Sequence, residues 1–148
     1  MRRIPLVILL LALSTRLAAA PTDTAPSPAA AVADLTRAVQ AYESGRYDTA
    51  AALLEQTLAA APECARCAHL LGKSYGRLAE RAGWLEAIGL ARKTWRAFEQ
   101  AAALAPHDRE VIEDLIRYYR AAPAFLGGSS EKAELLERRL RDSAGQTS

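Results

Sequence analysis

The sequence predicts an all-α fold made of helices that recur along the chain. From Pro28 onward it is rich in Ala, Leu, Glu and Arg, residues that lose little freedom on entering a helix. No run of Val, Ile and Thr alternates for long enough to make a strand. Gly and Pro cut the helical stretches apart at Ser44-Gly45, Pro62, Gly83, Pro106 and Gly127-Gly128. In addition, Leu71-Gly72-x-x-Tyr75 returns 44 residues later as Leu115-Ile116-x-x-Tyr119.

The chain has 148 residues, the size of one domain. Its first 20 residues read as a signal peptide. Met1-Arg2-Arg3 is a basic start, Ile4 to Leu13 is apolar apart from Pro5, and Ala18-Ala19-Ala20 offers a small-residue cleavage site. The apolar run is about half of the roughly 20 residues that a membrane-spanning helix needs. Pro21 is a poor first residue, so cleavage one or two bonds earlier fits as well, and an uncleaved N-terminal anchor is the alternative. The chain is thereby expected to be periplasmic or secreted, with no membrane span once the signal is removed. Losing Arg2, Arg3 and Arg16 lowers Lys+Arg from 19 to 16 against 17 Asp+Glu, a mature net charge of −1. Such a balance gives no global attraction to nucleic acid or anionic lipid. Residues 21–28 carry three prolines and little to bury, the composition of a flexible spacer.

The repeat domain is assigned to residues 29–141. A first helix starts near Pro28 and stops at Ser44-Gly45; a second runs from Tyr47 to just before Pro62. Two more are expected over 65–81 and 89–104, with Gly83 to Gly89 as an inserted apolar loop; longer helices with a short turn near Gly83 are the alternative. A fifth starts after Asp108, a candidate N-cap, and a sixth covers 131–141. The polar residues 142–148 are expected to be disordered. Trp84 and Phe125-Leu126, in the two apolar loops, are expected to tuck into the stack, with exposed anchors for a partner as the alternative.

Leu71-Gly72-x-x-Tyr75, followed by Phe98-x-x-Ala101-x4-Pro106, resembles the tetratricopeptide repeat, a helix–turn–helix unit of about 34 residues. Gly45-x-Tyr47-x-x-Ala50 matches the turn of a preceding unit, although Asp34, Arg37 and Ala38 stand at its Trp, Leu and Gly places. Pro62 and Pro106 lie 44 residues apart, about ten more than the family period. The resemblance covers roughly residues 30–141. It implies a right-handed superhelical array of about three antiparallel helix pairs, a non-enzymatic scaffold that binds a protein or peptide, and no cofactor. It also implies a concave face lined by the first helix of each pair. Tyr42, Arg66, His69, Lys73, Arg77, Glu113, Arg117 and Arg120 fall on it, with Val32, Leu35, Val39, Glu43, Gly76 and Glu110 beside them. That groove would be apolar and aromatic at one end and basic in the middle, suiting an extended peptide with an apolar anchor and an acidic group. The chain has no Asn, so the family's carboxylate clamp does not carry over.

Cys64-Ala65-Arg66-Cys67 places two thiols one turn apart at a helix start, where the dipole lowers a thiol pKa. A disulfide is the reading that suits an exported protein, and a thiol–disulfide redox protein is the alternative. Haem attachment needs His directly after the second Cys, where Ala68 stands. Zinc held by this pair would need His69 and His107, and His107 is a repeat away, so no metal is assigned. Gly127-Gly128-Ser129-Ser130 lacks the spacing of a phosphate loop and reads as a turn with a serine cap. No catalytic grouping stands out.

Overall fold

The computed structural model describes residues 28–145; the signal segment, nearly all of the spacer and the last three residues lie outside them. Among the described residues there are six α-helices and no strand: α1 Pro28–Glu43, α2 Tyr47–Ala60, α3 Ala65–Ala79, α4 Trp84–Leu104, α5 Arg109–Ala121 and α6 Ser130–Gly145. Each packs mainly on its neighbours in sequence, and α1 also reaches α3.

The helix ends follow from local chemistry. Gly45 takes the left-handed conformation at φ 73°, its N–H bonding to Tyr42 O and that of Arg46 to Ala41 O, which satisfies carbonyls left open at the end of α1. Asp108 caps α5, its carboxylate accepting the Val111 N–H at 3.3 Å, and Ser129 accepts from Lys132 N–H at the start of α6. Thr57, Ser74 and Thr94 are buried, and each hydroxyl donates to the carbonyl four residues back, so none is left unsatisfied.

Two apolar clusters make up most of the core. Ala38, Ala51, Leu54, Cys67, Leu71, Tyr75 and Ala97 join α1 to α4; Phe98, Ile112, Leu115, Ile116, Tyr119 and Ala133 join α4 to α6. Ala68, Ala101 and Val111 bridge the two. Small residues set the helix spacing. A Cβ at Gly72 would sit 2.5 Å from the Phe98 ring, so α3 and α4 meet there with no side chain on one side. In the first pair Ala38 and Leu54, both fully buried, share one cluster and offer the same small–large combination.

The two tyrosines of the recurring motif occupy equivalent places. Tyr75 on α3 donates its hydroxyl to Glu55 on α2, and Tyr119 on α5 donates to Glu99 on α4 at 2.6 Å. Lys93 of α4 lies over the Tyr75 ring at 4.9 Å, and Lys132 of α6 over the Tyr119 ring at 5.2 Å. Each lysine also pairs with the glutamate, at 3.6 and 3.3 Å. The same Glu–Tyr–Lys clamp therefore ties three consecutive helices together twice. Burial and the adjacent carboxylate push both tyrosine hydroxyls well above the ordinary tyrosine range. Burial pushes the Glu99 carboxyl up, but donation from Tyr119 and Lys132 outweighs it and holds Glu99 below its ordinary range.

Three expectations need correction. There is no inserted loop over 83–89: α4 begins at Trp84, and the extra residues lengthen that helix to 21 residues. Trp-Leu-Glu-Ala-Ile propagates a helix well enough to carry Gly89 along. Gly72 faces Phe98 and Gly76 faces Thr94, a register that sets Ala79, the end of α3, level with Ala91. The first two turns of α4 thus project past α3. Trp84 is consequently 74% exposed rather than tucked in, and Phe125 is 66% exposed in the second loop. That loop is nonetheless pinned. It contains a 3₁₀ turn, Ala124–Leu126; the Tyr118 hydroxyl lies 2.8 Å from the carbonyls of both Ala91 and Leu126; and Gly127, at φ 92°, lets the backbone press on Trp95. Finally, α6 continues to Gly145, so residues 142–145 are helical rather than a disordered tail.

Gly72→Ala gains about 1 kcal/mol of helix propensity but overpacks against Phe98 at a cost of about 1–3 kcal/mol, so urea denaturation should show a net loss. In a Phe98→Leu background, which imitates Ala38 with Leu54, the same change should be neutral or stabilising. Glu99→Gln tests the clamp through pH. Because the folded carboxylate titrates below the unfolded one, its stabilisation is present above the unfolded value of about 4.3 and is lost as pH falls through the folded value. Wild type and Glu99→Gln should differ most in thermal stability near neutrality and converge in acid.

Candidate functional site

The first helices of the three pairs, α1, α3 and α5, share a groove. Its wider chamber has a volume of about 540 Å³. Phe98, Gly72, Gly76 and Thr94 form the floor; Tyr42, Lys73, Arg77, Arg117 and Tyr118 rise around it. The absent side chain at Gly76 leaves room there, whereas at Gly72 the Phe98 ring takes the place of a side chain. A narrower chamber of about 210 Å³ follows, lined by Leu35, Val39, Arg66, His69 and Val111 among others. Lys73 and Glu110 line both chambers and mark their boundary.

Of the residues assigned to the concave face, Tyr42, Lys73, Arg77 and Arg117 line the wide chamber, and Arg66 and His69 the narrow one. Glu113 and Arg120 line neither. Glu113 pairs with Arg109 at 2.7 Å along α5, and Arg120 forms a two-pronged pair with Glu137 at 2.8 Å, bracing α5 against α6.

The middle of the groove is not simply basic. Lys73 pairs with Glu110 at 3.1 Å, Arg77 with Glu80 at 2.7 Å and Arg117 with Asp114 at 2.8 Å. Each cation carries its own acid, so the lining is charge-paired. Tyr42, on the wide chamber, packs on Tyr47 with ring centres 5.1 Å apart, and the Arg77 and Arg81 guanidinium groups lie 5.5 and 4.5 Å from the Tyr47 ring centre.

Asp114 is the residue that the sequence reading missed. It is buried on α5, and its Oδ2 lies 2.8 Å from Nε2 of the equally buried His69 on α3. Hydrogen bonding from His69 holds the Asp114 carboxyl below its ordinary range, overcoming burial, with Arg117 and Lys73 adding to the effect. His69 is thus an internal partner at the groove floor, tilted against Phe98 at 5.8 Å, rather than an exposed contact residue. One signal was available: Asp114 stands 44 residues after Leu70, so an acid replaces an apolar residue in the repeat.

Cys64 and Cys67 form a disulfide, with Cα atoms 5.2 Å apart, across the first turn of α3. Cys67 is fully buried, and Sγ of Cys64, the N-cap, accepts the Cys67 N–H. No helix among the described residues is long and apolar enough to cross a membrane. No family model matches the chain, and no curated protein or solved structure shows significant similarity to it.

Asp114→Leu removes the acceptor and leaves the His69 ring nitrogen buried without a partner, a loss of about 1–3 kcal/mol. The double variant His69→Leu with Asp114→Leu should be closer to wild type in chemical denaturation than Asp114→Leu alone. Additive losses would show that the pair contributes nothing as a pair.

Proposed function

We propose that this chain is a non-enzymatic scaffold that holds a protein or peptide in the groove between its first helices, and that it works outside the cytoplasm, in the periplasm or as a secreted protein. The observation that carries this is the lining of the groove by α1, α3 and α5 together, with an aromatic and glycine floor and a rim of paired charges. An extended peptide could lay an apolar side chain over Phe98 and Tyr118 and exchange its own acidic group for Glu80 or Glu110 at Arg77 or Lys73. The tetratricopeptide-like reading, with its right-handed superhelix, draws support from the recurring motif and the repeated Glu–Tyr–Lys clamp. Export draws support from the order of residues 1–20 and from the disulfide, which persists in oxidising compartments. The alternative is a thiol–disulfide redox protein, favoured by the placement of that bond at a helix N-terminus.

A pull-down from the parent cell with the mature chain as bait tests the groove. Tyr42→Ala combined with Arg77→Glu, folded by circular dichroism, should lose the partner that wild type retains, with affinity at least about tenfold weaker, or 1.4 kcal/mol. Retention of every partner would refute the groove. Thiol trapping separates the alternative: a scaffold keeps the disulfide intact during turnover with a dithiol donor, whereas a redox protein cycles it.

A further inference from the structure

We infer that His69, Glu110 and Asp114 form a binding site for one divalent transition-metal ion, with Zn²⁺ as the representative ion. The inference concerns the floor of the groove and stands whether or not a peptide occupies it. One donor atom from each residue lies within 4.8 Å of the others. Glu110 and Asp114 are four residues apart on α5, which presents both carboxylates on one side of that helix, and His69 meets them from α3. Zinc at 2.0–2.1 Å from each ligand in a tetrahedron sets neighbouring ligand atoms about 3.4 Å apart. The Nε2 to Oδ2 separation of 2.8 Å need only open slightly, and the Glu110 carboxylate, on an exposed side chain, would move in.

The surroundings suit a cation. Oδ1 of Asp114 is held by Arg117 at 2.8 Å, which fixes the carboxylate and leaves Oδ2 for the ion. The metal would take the place of the proton between Nε2 and Oδ2. Lys73 already lies against Glu110 at 3.1 Å, so a positive charge is drawn to this spot and an incoming ion displaces it. The cluster opens to the groove, since Glu110 lines both chambers, Asp114 the wide one and His69 the narrow one. One imidazole with two carboxylates favours zinc or its transition-metal neighbours over calcium and magnesium, which prefer oxygen alone.

Calorimetric titration of Zn²⁺ into the metal-free, disulfide-bonded mature chain decides the matter, with Mg²⁺ as the comparison ion. The expected result is one Zn²⁺ per chain and no heat from Mg²⁺. Glu110→Gln, a surface change that leaves the core untouched, should weaken zinc binding at least about tenfold. Lys73→Ala should tighten it, because the competing ammonium is gone. Co²⁺ should give a visible absorption band that disappears in His69→Gln. Zinc binding that is absent, or equal in wild type and Glu110→Gln, overturns the assignment.

Discussion

The missing side chain at Gly72 is the constraint on which much of this structure depends. It lets α4 press the Phe98 ring against α3, where a Cβ would stand 2.5 Å from a ring carbon. That approach brings Ala97, Ala101 and Phe98 into the interior and completes both apolar clusters, since Ala97 belongs to one and Phe98 to the other. It also sets the Phe98 ring in the place a Gly72 side chain would take, where the ring forms part of the groove floor. One glycine therefore serves packing and the candidate site together. The core gains buried apolar area from the close approach.

Polar contacts then fix how the layers sit on one another. Apolar burial has no direction, so alanines and leucines alone would tolerate sliding between helices. The Glu55–Tyr75–Lys93 and Glu99–Tyr119–Lys132 clamps supply direction, because a hydroxyl, a carboxylate and an ammonium must meet at one point. The His69–Asp114 pair adds a third such link, directly between α3 and α5. It lies beneath the groove and is nine-tenths buried, so the geometry of the candidate site is joined to the packing of the helices that carry it.

Charge in the groove follows the same economy. Lys73, Arg77 and Arg117 each face an acid, and the lining is near neutral although rich in ionised groups. A partner entering there exchanges one ion pair for another instead of meeting an unpaired cation. Selectivity then rests on shape and on the placement of acids and bases, with little long-range pull.

The sequence by itself determined the helices, their caps and the repeat. These depend on contacts within a few residues, such as Gly45 ending α1 and Asp108 starting α5, or on a motif whose Leu and Tyr recur, as with Tyr75 and Tyr119. Tyr42, Lys73, Arg77 and Arg117 line one chamber and Arg66 and His69 the other, and their alignment along each helix follows from its period. Tertiary structure decided the rest. Nothing local pairs His69 with an aspartate 45 residues away, turns Arg120 towards Glu137, or brings Lys73 to Glu110. Whether α4 began just after Gly83 or only at Gly89 was not fixed along the chain, because glycine is compatible with both a turn and a helix interior. Its register against α3, set by Phe98 over Gly72, determines how far its first turns project and leaves Trp84 in solvent.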